Sequence, residues 1–255
     1  MIKIESYKSS KYPDLIERIW VLENNEEDIE TYNPPSQYFN LIIPIEGTLI
    51  IRNQIEIQSP YLEGLSLQPS AYSYPKGTKL IGVRFYPYAI QSFFTIDAKK
   101  VINSLVSIVI DTISERNFIV DLESLLSNLY RENKNQELLK EFYWNYRRGD
   151  NSISIEHFCQ KHNTNYTTLN RLFSKAIGIS PKKLERLIKF RKSLCSLIDE
   201  NDDLTEVGLD SGYFDQAHFI KEFKFFVGKT PSNFKKVIQK ADQDTQVINY
   251  NFRLF

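Results

Sequence analysis

The chain has 255 residues, of which 42% are hydrophobic and 25% charged, and its 32 Lys and Arg balance its 32 Asp and Glu. That length allows one large domain or two modest ones, and the composition excludes a disordered chain, a collagen-like fibre and a disulfide scaffold. No apolar run approaches the roughly 18 residues of a membrane span. The opening Ile2-Lys3-Ile4-Glu5-Ser6-Tyr7-Lys8 lacks the apolar stretch and cleavage site of a signal peptide, so no membrane partner is expected and the expected location is cytoplasmic. Two cysteines, Cys159 and Cys195, fit that compartment. The charge is uneven: residues 151–240 hold 15 Lys and Arg against 10 Asp and Glu, and the remainder holds 17 against 22. A basic part beside an acidic one points to the former as the part that meets a polyanion.

Residues 1–110 read mostly as strands. Ile19 to Leu22 is a β-rich run ended by the acidic stretch 23–28. Tyr38 to Ile45 is a second apolar run, Thr48 to Ile57 alternates loosely behind a turn at Gly47, and Leu80 to Phe85 is closed by Pro87. Eight of the ten prolines precede residue 90, which implies many turns and few long helices. Short strands so punctuated predict a small barrel or sandwich. Arg84 interrupts an apolar strand; it is read as the partner of a core-edge carboxylate, with an anionic ligand as the alternative. Neither His nor Cys occurs before His157, which excludes a histidine-based metal site and Ser/His/Asp catalysis from this part. A carboxylate-only site from Glu46, Glu56 and Glu63 has no supporting pattern. No metal and no cofactor are therefore expected.

The period then changes to that of helices. Leu122, Leu125, Leu126 and Leu129 form one stripe, and Leu138, Leu139, Phe142 and Tyr146 another, with a break at 133–135. Both are read as packing faces, a homodimer interface being the alternative. The polar run Arg147 to Ser152, with the helix-stopping Gly149, marks a boundary. The fold class expected is α+β: a β-rich barrel or sandwich at 1–110, a helical linker region at 111–150 and an all-α domain at 151–240. In the tail, 241–255, Ile248, Tyr250, Phe252 and Leu254 alternate with polar residues. That predicts an edge strand added to the β-rich part, or else a frayed terminus. Cys159 and Cys195 fall in apolar helical patterns and read as packed thiols.

The all-α part carries an internal repeat. Ile155 to Gly178 and Leu204 to Gly228 each begin at a capping residue (Ser154, Asp203), turn at Asn163 or Gly212, continue in a helix with an apolar back, and end in Gly-x-Ser/Thr-Pro. That is the helix-turn-helix layout, twice. Between the copies, Ser180 caps and Pro181 opens a long helix running to about Asp199.

The run Gly212-Tyr213-Phe214-Asp215-Gln216-Ala217-His218-Phe219-Ile220-Lys221-Glu222-Phe223-Lys224, followed by Gly228-Lys229-Thr230-Pro231, closely resembles the signature of the AraC/XylS family of bacterial transcription regulators. Thr167 to Phe173 with Gly178-Ile179-Ser180-Pro181 resembles the other half of that family's DNA-binding domain. Residues 7–95 also resemble an uncharacterised N-terminal domain of one branch, through Pro13 to Glu23, Pro34 to Asn40 and Lys79 to Pro87. The resemblance implies a sequence-specific regulator that binds double-stranded DNA with two recognition helices and works with RNA polymerase. A small-molecule effector at the N-terminal domain and a homodimer remain open.

A helix that enters the major groove needs an apolar back and polar side chains on the far side. In the first copy Leu169, Leu172 and Phe173 are the back, leaving Thr167, Asn170 and Arg171 as base readers. Arg pairs with guanine and Asn with adenine. In the second, Phe219, Phe223 and Phe226 are the back; Gln216, Ala217 and Lys221 hold the positions that resemble the family's readers. Lys175, Lys182, Lys224 and Lys229 are the candidate phosphate contacts, which position without specifying. Two positions depart from the family pattern. Asn163 stands in place of a glycine, and Phe214 in place of a capping Ser or Thr, which leaves Asp215 to cap. The competing reading is a cupin-like enzyme or ligand-binding protein with a helical appendage.

Overall fold

The computed structural model describes residues 2–51, 55–111, 113, 117–148, 153–199 and 203–240. The boundary residues 149–152 and the tail strand expected beyond 240 lie outside them.

The first half folds into two antiparallel sheets that face each other without closing into a barrel. Its strands are β1 (Ile2–Tyr7), β2 (Ile16–Asn24), β3 (Ile29–Asn33), β4 (Phe39–Glu46), β5 (Leu49–Ile51), β6 (Ile55–Ile57), β7 (Tyr61–Glu63), β8 (Ser70–Tyr74), β9 (Thr78–Phe85) and β10 (Leu105–Ser107). The larger sheet runs β1-β2-β9-β4-β7-β10 and the smaller β3-β8-β5-β6. The apolar runs expected at 19–22, 38–45 and 80–85 are β2, β4 and β9, the centre of the larger sheet. Stretch 48–57 is a hairpin of two short strands, β5 and β6, not one run.

Those three central strands read as continuous apolar runs because both faces are covered. Ile19, Val21, Leu41, Ile43, Ile81 and Val83 pack toward the helices. Trp20, Leu22, Ile42 and Leu80 meet Leu49, Ile51, Ile57, Tyr72 and Tyr74 of the smaller sheet. Pairing aligns Arg18, Arg84, Asn40 and Glu63 in one row across β2, β9, β4 and β7. This gives the inter-sheet space a polar end. Arg84 is fully buried there. Its Nη1 lies 3.9 Å from Glu17 and its Nε donates to Asn40 at 3.3 Å. Burial lowers its pKa to about 10 against the pull of Glu17, so the guanidinium keeps its charge at neutral pH and the carboxylate partnership expected from sequence is present.

Eight α-helices follow among the described residues: α1 (Phe118–Leu129), α2 (Gln136–Arg147), α3 (Ile155–Lys161), α4 (Tyr166–Ala176), α5 (Pro181–Asp199), α6 (Leu204–Asp210), α7 (Gln216–Val227) and α8 (Pro231–Lys240). The stripes of α1 and α2 are packing faces: Leu122, Leu126, Leu139 and Phe142 are fully buried. Phe142 meets Phe158 of α3 and Phe173 of α4 with centroids 5.2 and 4.6 Å apart. Through such contacts one hydrophobic core extends from Leu41 and Val83 of the sheet to Phe223 and Phe234 of the last helices. Cys159 is buried in it, and burial pushes its thiol pKa up; Cys195 is half-buried.

Candidate nucleic-acid interface

Each helix-turn-helix unit is built by caps and a left-handed turn residue. In the first, the Ser154 side chain accepts from the His157 amide at 3.1 Å and starts α3. Asn163 turns the chain with φ 48, a conformation Asn tolerates better than other non-glycine residues. Asn165 then accepts from the Thr168 amide at 2.9 Å and starts α4. In the second, Asp203 caps α6, accepting at 3.3 Å from Thr205, and Gly212 turns with φ 86. Asp215 caps α7, accepting from His218 at 2.7 Å. Asp215 thus does the capping that Phe214 cannot, as the sequence required. Between the units, Ser180 accepts from the Lys183 amide at 3.2 Å and starts α5.

The caps set how α4 and α7 are turned. On α4, Leu169 and Phe173 are buried and Leu172 half-buried, while Thr167, Arg171 and Lys175 are exposed. Asn170 is half-buried, and its Oδ1 has no hydrogen-bond partner. On α7, Phe219, Phe223 and Phe226 are buried, and Gln216, Ala217, Lys221 and Lys224 are exposed. Phe226 stacks on Phe190 of α5 at 4.6 Å. A bidentate pair, Arg186 Nε and Nη2 to Glu222 at 2.6 and 3.1 Å, holds α7 against α5, with the guanidinium 4.5 Å above the Phe225 ring. Lys182 and Lys229 are exposed at the first turn of α5 and just after α7.

The structure brings Thr167, Asn170, Arg171 and Lys175 together with Ser174 around an open cleft of about 490 Å³. Asp97 and Lys99 of the β-rich half form its other wall. The α7 set stands apart from this cleft. Sequence reasoning did not reach two features. The Asn165 cap was visible as an Asn before Tyr-Thr-Thr-Leu. Asp97, Lys99 and Ser174 have no sequence signal, because only the fold carries 97–99 to α4. Phe214, at 86% exposure the most open aromatic side chain among the described residues, sits just before the α7 cap.

This site belongs to a definite class. Residues 158–236 match the family described as Helix-turn-helix domain, and residues 10–107 match a Domain of unknown function (DUF6597). The C-terminal part is therefore a helix-turn-helix domain of the AraC type, joined to an N-terminal domain of that second family. Among relatives, the Invasion protein InvF of Salmonella typhimurium is 29% identical over 84 residues, 33% of this chain and 39% of that protein. The Msm operon regulatory protein of Streptococcus mutans is 28% identical over 88 residues, 34% and 32% of the two chains. The chain thus spans under two fifths of the length of these relatives. Among solved structures, ToxT of Vibrio cholerae aligns over 92% of this chain and 98% of its own, at 12% identity and a TM-score of 0.44.

Proposed function

We propose that the chain is a sequence-specific transcription regulator that reads double-stranded DNA with two recognition helices, α4 and α7. The observation that carries this reading is the matched pair of capped helices, each held by a buried apolar back. Both present polar side chains outward: Thr167, Asn170 and Arg171 on α4, and Gln216 and Lys221 beside Ala217 on α7. In this reading Arg171 and Asn170 pair with base edges, Ala217 meets at most a thymine methyl, and Lys175, Lys182, Lys224 and Lys229 neutralise phosphates. The names of relatives in which the same domain recurs, an operon regulatory protein among them, agree with it.

The β-rich half, about residues 1–110, then serves as a sensing or assembly module, with 111–150 joining it to the DNA-binding part at 151–240. Its polar inter-sheet row, Arg18, Arg84, Asn40 and Glu63, is the place where a small effector would act. The adjoining cavity, lined by Glu63, Tyr72 and Ser70, holds about 50 Å³, space on the scale of a water molecule or two. The protein acts in the cytoplasm as a binder and not as an enzyme, with a homodimer and RNA polymerase as further partners. Selection of duplexes from a random pool by the purified chain tests the proposal. Enrichment of a common motif is the expected result; recovery of no motif and no salt-sensitive binding overturns it.

A further inference from the structure

The short 3-10 helix Ala98–Val101, in the β-rich half, is fixed against the first recognition helix. Two contacts hold the halves together at this point, one from the preceding 3-10 turn Ile90–Ser92 and one from the helix itself. Gln91 Nε2 donates to the Lys175 carbonyl at 2.8 Å. Gly178, with φ +91, approaches so closely that a Cβ there would lie 2.5 Å from the Ala98 carbonyl oxygen. Beside these contacts the surface opens into the cleft in which Asp97 and Lys99 face Thr167, Asn170, Arg171 and Lys175. Asp97, Lys99, Thr167, Arg171 and Lys175 are all exposed, so the β-rich half flanks the reading face without covering it.

Dimensions decide what such a flank meets. An α-helix with its side chains is roughly 10–12 Å across, and the major groove is about 12 Å wide. A helix seated in the groove fills it. Whatever is packed against the helix's side therefore stands at the groove's rim, where the phosphates are. Resting on the reading of α4 as a recognition helix, we infer that the N-terminal domain is itself part of the DNA interface: Lys99 contacts the phosphate backbone beside α4, and Asp97 opposes it. Among the described residues Lys99 makes no ion pair. The Asp97 side chain is held by the Lys99 amide at 3.1 Å, which caps the 3-10 helix. The two side chains thus stand with opposite charge on one rim. The binding surface is composite, and the register of the N-terminal domain against α4 becomes a determinant of affinity.

The test is fluorescence anisotropy with the full chain, on its selected duplex and on a random duplex, across a salt series. Lys99→Ala is expected to weaken both complexes alike, about threefold at moderate salt, and to lower the slope of log K against log salt by about 0.9, the value for one phosphate. Asp97→Asn keeps the cap and removes the charge, so both complexes should tighten. Arg171→Ala is the control for the underlying reading. Loss of the selected site in Arg171→Ala, with affinity and slope unchanged in Lys99→Ala and Asp97→Asn, overturns this inference and leaves that reading standing. Tighter binding by Lys99→Ala overturns the inference too, since the flank would then be a shield. Arg171→Ala without effect overturns the reading beneath it.

Discussion

Arg171 and Lys182 are both exposed cations in the helix-turn-helix domain, and the proposed function gives them different work. Arg171 projects from the outward face of α4 into the cleft, where a guanidinium can form a bidentate pair with a guanine edge. Lys182 lies on the first turn of α5, off that face. Arg171→Ala is expected to weaken the selected complex by about 1–3 kcal/mol and to relax preference at one base pair. Lys182→Ala should weaken all duplexes alike; a titration series over single-base variants of the site separates the two outcomes. Glu17 is a different kind of residue, a half-buried carboxylate that meets Arg18 and Arg84 at the edge of the polar row. Burial raises its pKa, but the Arg18 hydrogen bond and the charge of Arg84 outweigh that and hold it below the ordinary carboxylate range. A lowered folded-state pKa contributes stability that is present above the unfolded value and lost as pH falls through the folded one. Glu17→Gln should therefore flatten the acid limb of the stability curve below about pH 4.3, measured by urea denaturation between pH 5 and 3. An unchanged limb would show that the pair contributes nothing.

At the scale of elements, the two repeats end in glycines of like conformation in unlike surroundings. Gly178 has φ +91 and abuts the Ala98 backbone; Gly228 has φ +73 and nothing within 4 Å of where a Cβ would stand. An alanine at Gly228 meets only the left-handed backbone penalty, about 1–2 kcal/mol. At Gly178 the same penalty is joined by a clash with a carbonyl that belongs to the other half of the molecule. Gly178→Ala should therefore destabilise by clearly more than Gly228→Ala, and it alone should expose the α4 flank to amide hydrogen exchange. Equal losses would mean that the 3-10 helix yields freely. In the second unit the clamp lies between α5 and α7: Arg186, Glu222, Phe190 and Phe226 fix α7 from behind.

At the scale of the whole molecule, the buried cluster does not stop where the secondary structure changes. It passes from the larger sheet through Phe142 and Tyr143 to Phe173, Phe190 and Phe223. Polar contacts cross the same line: Gln37 Nε2 donates to the Tyr143 hydroxyl at 2.9 Å, Ser92 to Gln136 at 2.7 Å and Lys140 to Asp14 at 3.1 Å. Burial of apolar surface is what makes unfolding cooperative. Calorimetry of the full chain is expected to show one transition whose van't Hoff and calorimetric enthalpies agree. Two separated transitions would show that the sheet and helices are thermodynamically independent despite the shared core.

Much of the helical half was legible residue by residue. Its local rules need only neighbours: Ser154, Ser180 and Asp203 as caps, Asn163 and Gly212 as turns, Leu169 and Phe173 as a buried back. A helix's period and its ends are written within a dozen residues, so α4, α5 and α7 could be placed, and with them Thr167, Arg171, Gln216 and Lys221 on the exposed side. The strands were legible only where burial on both faces makes a long apolar run, as in β2, β4 and β9. The three-residue strands β5, β7 and β10 exist because distant partners supply hydrogen bonds to them, and no local pattern records a partner. For the same reason the row of Arg18, Arg84, Asn40 and Glu63 is visible only once register is known. The sequence by itself determined that two capped helices would turn polar faces outward. Only the tertiary structure decided that Asp97 and Lys99 stand beside the first of them, because that neighbourhood is made by packing across some seventy residues of chain, which leaves no trace in local spacing.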